Sequence, residues 1–343
     1  MTQRELVGRT VTVLAVVILA WLLVWVVRQM TEILILLLVS AILASGLAPL
    51  VGLVERRKVS RGVAIFVLYL AIFAAVLLIF SIILLPAVNE SSRFIQQLPQ
   101  LTEHIRVWLA GLHSRWPWLP DLAGILDRVP SLATALSRLG PQAAGVAFRF
   151  LGGLAAVITV LVFTFYMLLE GAEIKKGFIA LFPAAERRRV NLVLDRIGAK
   201  FGGWLRAQLL LSFSVAVPVA LGLSLLRMPY PFLLGIVAGI GELIPMVGPT
   251  LGAAVAVLVA LSQQPWQLVG VLIFYTIVLN VEPHILVPRI MARVVGMSPI
   301  LTLVALLTGI KLLGILGGLL AVPVAAALQV IVAEVAEEVL PRS

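Results

Sequence analysis

Apolar runs long enough to cross a bilayer, separated by short charged stretches, dominate the chain. A helical crossing needs about 20 such residues. The first run, residues 11–27, follows Arg4 and Arg9, and a second begins at Ile33. No small-residue cleavage site separates them, so the pair reads as an uncleaved helix, a turn through 28–32 and a second helix to about Val54. Pro49 is expected to kink that second helix or end it early. The basic loop Glu55-Arg56-Arg57-Lys58-Val59-Ser60-Arg61 leads into a third span, 62–85. A fourth covers 146–169 and a fifth 208–226.

Beyond Pro231 the runs are broken. Residues 232–244 and 251–261 are each too short to cross comfortably, and Pro245-Met246-Val247-Gly248-Pro249 separates them. A span-length run, 266–287, follows. A second broken pair, 298–310 and 319–332, is interrupted around Lys311, Gly314 and Gly317-Gly318, with Pro323 inside its latter half. Within a membrane such breaks survive only where protein or water satisfies the freed backbone groups. If both units are re-entrant there are six full spans and two hairpins; if both cross, there are about ten crossings. Separated by one span, the units enter from opposite faces, as in secondary transporters with a site near the midplane.

Two polar segments are amphipathic rather than spanning. In the first, Leu98, Leu101, Ile105, Trp108 and Leu112 recur at helical spacing, and a second set runs from Leu122 to Leu139. It reads either as an arm touching neighbouring subunits or the membrane surface, or as a cap on its own subunit. In the other, Val190, Leu194, Ile197, Phe201 and Leu205 line one face of a basic helix at headgroup level. The chain thus divides into N-terminal spans (1–86), an external helical arm (87–145), a span (146–169), a cytoplasmic basic segment (170–207), a membrane transport core (208–335) and a cytoplasmic tail (336–343).

Composition agrees with the pattern. Of 343 residues 62% are hydrophobic and 12% charged, too apolar for any soluble domain of this length. The absence of cysteine excludes disulfides and thiolate chemistry, and His104, His113 and His284 are too scattered for a metal cluster. A net charge of +10 marks cytoplasmic loops rather than nucleic-acid binding, and no nucleic-acid partner is expected. The loops 56–61 and 175–206 are the most basic, which places both termini in the cytoplasm. No phosphate-cradling loop and no Ser/His/Asp set is visible, so neither an enzyme, a cofactor nor ATP drive is expected.

Ionisable groups in membrane helices are costly and mark function by default. Glu242 precedes the Pro245 break by about one turn, where freed carbonyls can join it in binding a proton or cation; alternatively it snorkels to the interface. Glu282, with Asn280 and His284 around Pro283, reads either as a proton or cation relay or as an interfacial cluster tied to Arg289. Lys311 is expected to pair with Glu242 or Glu282, against the alternative of a hairpin tip in water. Pro245, Gly248, Pro249, Gly314, Gly317 and Gly318 are helix breakers whose backbone groups either line the site or, at the glycines, serve close helix packing.

Four stretches also resemble a known family. Gly241-Glu242-Leu243-Ile244-Pro245-Met246-Val247-Gly248-Pro249 looks like the Ile-Pro-x-x-Gly-Pro stretch of the autoinducer-2 exporter family, and Val281-Glu282-Pro283-His284-Ile285-Leu286-Val287-Pro288-Arg289-Ile290 like its second motif. Val295-Gly296-Met297-Ser298-Pro299 and the stretch from Gly314 to Pro323 look like the third and fourth. Met297-Ser298 stands where many relatives carry a Leu-His or similar pair, so no titrating group is present there. The resemblance implies an all-α polytopic membrane transporter, working as a homo-oligomer among membrane lipid on a small-molecule or monovalent-cation substrate. Secondary or passive export of a small polar solute such as the quorum-sensing signal autoinducer-2 leads on that ground. Sodium(lithium)/proton antiport is the alternative, resting on the two carboxylates, and a non-transporting scaffold is the third.

Overall fold

The computed structural model describes residue 25, residues 29–79, 81, 90, 93, 96, 103, 107, 111, 114, 143–244, 247–291 and 296–339. Among these there is no strand. The helices are α1 (Thr31–Glu55), α2 (Arg61–Ile79), α3 (Ala143–Ala180), α4 (Arg187–Leu225), α5 (Pro231–Gly241), α6 (Gly248–Ala260) and α7 (Pro265–Val281). A π-turn (Glu282–Leu286) joins α7 to the short α8 (Val287–Met291), and α9 (Pro299–Val339) ends the chain. Among the described residues five stretches are long and apolar enough to cross a membrane: α1, most of α3, α4, α7 through α8, and α9. Their outward faces carry Leu53, Val157, Leu225, Ile273 and Leu307, all more than half exposed. Lipid is the solvent such faces require, and the fold is an all-α polytopic membrane protein.

The long helix α4 is the axis of the molecule. Its C-terminal half, with Val215, Val219 and Leu223, joins Leu234, Ala238, Ala256, Val271 and Tyr275 in a core shared with α5, α6 and α7. Its N-terminal half packs Phe201 and Trp204 against Ile42 of α1 and Leu320, Val322 and Ala326 of α9. A third cluster ties α1 to α2 and α3 through Val51, Ala64, Ile65 and Leu168.

Pro49 does not end α1, which runs on to Glu55. Proline has no N–H, so the carbonyl four residues back, that of Ser45, loses its helical donor. Gly202 of α4 lies directly against that carbonyl, where a Cβ would collide with it. Arg206 donates to the neighbouring Gly46 carbonyl at 3.3 Å. The expected break is thus absorbed as a docking point for α4.

Nor do the polarity changes at 169/170 and 207/208 interrupt the backbone. α3 continues to Ala180, and the basic amphipathic segment and the fifth span form the single helix α4. Polar ends of these helices are tied by ion pairs: Lys175 to Asp195 at 2.6 Å, and Glu334 of α9 to both Arg189 and Arg196 at 3.0 Å.

α9 folds back on itself at Gly314, whose φ of 62° belongs to the left-handed region that glycine alone enters freely. Its limbs, 299–313 and 315–339, then touch through Gly309 and Gly317, each so close to the other's carbonyl that neither tolerates a Cβ. In the arm expected to be external, Glu103, Val107, Gly111 and Ser114 are helical. The rest of that arm, including the set from Leu122 to Leu139, lies outside the described residues. So do the first span apart from Trp25, and residues 340–343.

Candidate functional site

The first broken unit is a hairpin. α5 ends where the Glu242 N–H reaches Ala238 at 3.0 Å, and single turns follow through Leu243 to Ile240 and Ile244 to Gly241, each 3.1 Å. Pro249 sits in the first turn of α6, the only helical position where its missing donor costs nothing. The limbs approach through glycine: a Cβ on Gly241 would come within 2.8 Å of the Gly248 Cα. Pro245 lies outside the described residues. At 11 and 13 residues the two limbs are about 16 and 20 Å long, short of a ~30 Å hydrocarbon core. Gly235 and Gly239 seat α5 on Ala220, Ala216 and Ser212 of α4.

At the tip of this hairpin Glu242 is 1% exposed, and at the end of α7 Glu282 is 4% exposed. Their carboxyl groups, 40 positions apart in sequence, meet within hydrogen-bond contact. Proline at 283 withholds an N–H from the helix, and the chain answers with the π-turn 282–286, closed by the Val287 N–H on the Glu282 carbonyl. That turn points Glu282 inward. Two ionised carboxylates so close in an apolar core repel strongly, so the pair holds together only with a proton or a cation between them.

The surrounding polar groups come from residues with little signal in the sequence. Gln208 of α4, 1% exposed, donates its Nε2 to the Glu242 carbonyl. Its Oε1, the second carboxyl oxygen of Glu242, the Ser212 Oγ and the Tyr275 hydroxyl are all buried without a hydrogen-bond partner among the described residues. Ser212 lies one turn beyond Gln208 on the same face of α4. The Tyr275 hydroxyl lies beside Gly252, where a Cβ would come within 3.0 Å of it. Gln208 looked like the polar edge of a span, and Tyr275 like one more apolar residue.

The other expected residues are placed differently. Asn280 is exposed, its Nδ2 donating to the Thr276 carbonyl at 2.7 Å, and the His284 Nδ1 lies 2.8 Å from the Asn280 carbonyl. Residues 280 and 284 share an outer face while Glu282 points inward, so the three form no relay. Lys311 is exposed on the first limb of α9 and makes no ion pair among the described residues. Gly248 and Pro249 open α6, buried against α5, and Gly314 makes the second hairpin's turn. Gly317 and Gly318 are buried, and a Cβ on Gly318 would lie 3.6 Å from the Cδ1 of Ile244. The break of the first unit therefore touches the second unit close to its turn.

Comparison with known proteins bears on this arrangement. Residues 11–337 match the family described as "AI-2E family transporter". The chain is 30% identical over 304 residues to YueF of Bacillus subtilis, covering 85% of this chain and 81% of that one. It is 28% identical over 314 residues to MT0215 of Mycobacterium tuberculosis, covering 89% and 83%. Both carry the name "putative transport protein". Over 167 residues, 49% of this chain and 47% of the other, it is 25% identical to a protein of Halobacillus andaensis named "Sodium-lithium/proton antiporter".

Proposed function

This chain belongs to the AI-2E transporter family, and from that premise we propose that it exchanges sodium or lithium for protons at the Glu242–Glu282 pair, as a secondary transporter of the bacterial inner membrane with both termini in the cytoplasm. The observation that carries the reading is the meeting of two buried carboxyl groups at the break of a short-limbed hairpin. Such a pair is stable with one proton or with one cation and unstable with neither, which is the alternation that exchange requires. The similarity of half the chain to a named sodium-lithium/proton antiporter supports the same choice. Export of a small polar solute such as autoinducer-2 rests on family resemblance. Two clefts of about 390 and 410 Å³ lie along α3, away from the carboxylates.

Proton flux in proteoliposomes on addition of sodium or lithium tests the proposal. Wild type is expected to move protons in response to either cation, and Glu282→Gln to lose at least 90% of the flux, a tenfold effect of about 1.4 kcal/mol or more in the barrier. Folded wild-type protein that moves no protons would sink the exchange reading and turn attention to efflux of a labelled solute.

A further inference from the structure

Gln208 is a buried amide whose two ends are unequally used. Its Nε2 donates to the Glu242 carbonyl, and this fixes the amide's orientation, because the flipped amide would set oxygen against oxygen. The Oε1 is thereby turned to the other side of the amide plane, sealed from solvent and without a donor among the described residues. Covalent geometry keeps it within about 5 Å of the Glu242 backbone. An unpartnered acceptor in such surroundings costs on the order of a hydrogen bond unless something electropositive meets it. The unpaired carboxyl oxygen of Glu242 and the Ser212 Oγ are buried in the same state.

We infer that Gln208 is a neutral oxygen ligand of a dehydrated monovalent cation held at the Glu242–Glu282 pair, and so a residue that sets the site's preference for a metal cation over a proton alone. The inference rests on the exchange reading above. Oxygen ligands suit the hard ions sodium and lithium. A proton is satisfied by two carboxyl oxygens alone, whereas a metal ion stripped of water needs several ligands. Gln208 and Ser212 supply two neutral ones from α4, a helix distinct from those that carry the carboxylates. The same amide holds the Glu242 carbonyl, so ligand and hairpin tip are positioned together.

Binding of radiolabelled sodium to the purified full-length protein tests this apart from transport. Gln208→Met keeps the shape and removes the oxygen; Gln208→Glu keeps an acceptor oxygen and removes the amide donor. The Met variant is expected to weaken sodium binding about tenfold or more, while the Glu variant binds at least as tightly as wild type. A Met variant that binds like wild type overturns the assignment. Equal losses in both variants also overturn it, since Gln208 would then act through its N–H on the hairpin. Wild type that binds neither sodium nor lithium overturns the exchange reading itself, whatever Gln208 does. Should the Met variant fail to elute as a monodisperse species, Gln208→Asn, which withdraws the oxygen by one carbon, is expected to show the same loss.

Discussion

Tyr230, immediately before α5, adopts the left-handed φ of 61° and offers the helix no side-chain cap. The cap comes from 143 positions away, where Glu90 accepts the Leu233 N–H at 2.8 Å. Burial raises the Glu90 carboxyl above its ordinary range, with the amides of Leu233 and Phe232 and the charge of Arg93 pulling it back. The folded protein therefore holds this proton to a higher pH than the unfolded chain. The stability linked to it is complete below the ordinary carboxylate value and is lost as pH rises through the folded one. Glu90→Gln, always neutral and still an acceptor, is expected to match or exceed wild type at neutral pH. Glu90→Ala should fall about 1 kcal/mol below the Gln variant. Thermal unfolding in detergent at mildly acidic and neutral pH checks both. At this scale the sequence singled out Glu242 and Glu282, because carboxylates are conspicuous among apolar residues. It hid Gln208, which continues a basic stretch, and left the faces of Asn280 and His284 open, because only the π-turn decides which face a residue beside Pro283 takes.

Among elements, the contact between α1 and α4 turns on one missing donor. Pro49 exposes the Ser45 carbonyl, and Gly202 is the residue that lets α4 come close enough to cover it. Gly202→Ala is expected to destabilise the fold by about 1–3 kcal/mol, since its Cβ meets backbone that cannot rotate away. A lowered unfolding temperature, with helical content preserved by circular dichroism, is the expected record; an unchanged temperature would show that α1 and α4 yield readily. The breaks at 242–247 and at Gly314 were legible because proline and glycine punctuate helices wherever they occur. The continuity of α3 and α4 past the apolar stretch was not. Backbone hydrogen bonds carry a helix through a change of polarity that a reading by composition takes for a boundary.

In the whole molecule, two hairpins separated by the single crossing α7 come together where Ile244 meets Gly318. If α7 crosses once between them, the two hairpins enter from opposite faces. The natural chain has no cysteine, so single cysteines report this directly. Cysteine at Gln263, between α6 and α7, is expected to react with an impermeant maleimide from outside intact cells. Cysteine at Ser298, at the start of α9, should react only after permeabilisation. Both labelling from one side would refute the opposed arrangement. That the chain is polytopic was legible from run lengths, but the meeting of the hairpins was not, because nothing local in Ile244 or Gly318 names its partner.

That meeting has a consequence for how the protein is made. Ribosomes deliver Glu242 to the membrane before Glu282 exists and well before Gly318, so the early hairpin must wait with its carboxyl unaccompanied. The last helix to emerge is the one that closes against it. A chain cut short after α8 would hold both carboxylates yet lack the limb of α9 that Ile244 meets. The hairpin tip therefore completes its packing late in biogenesis, and truncated products should be open to membrane proteases that the finished protein resists.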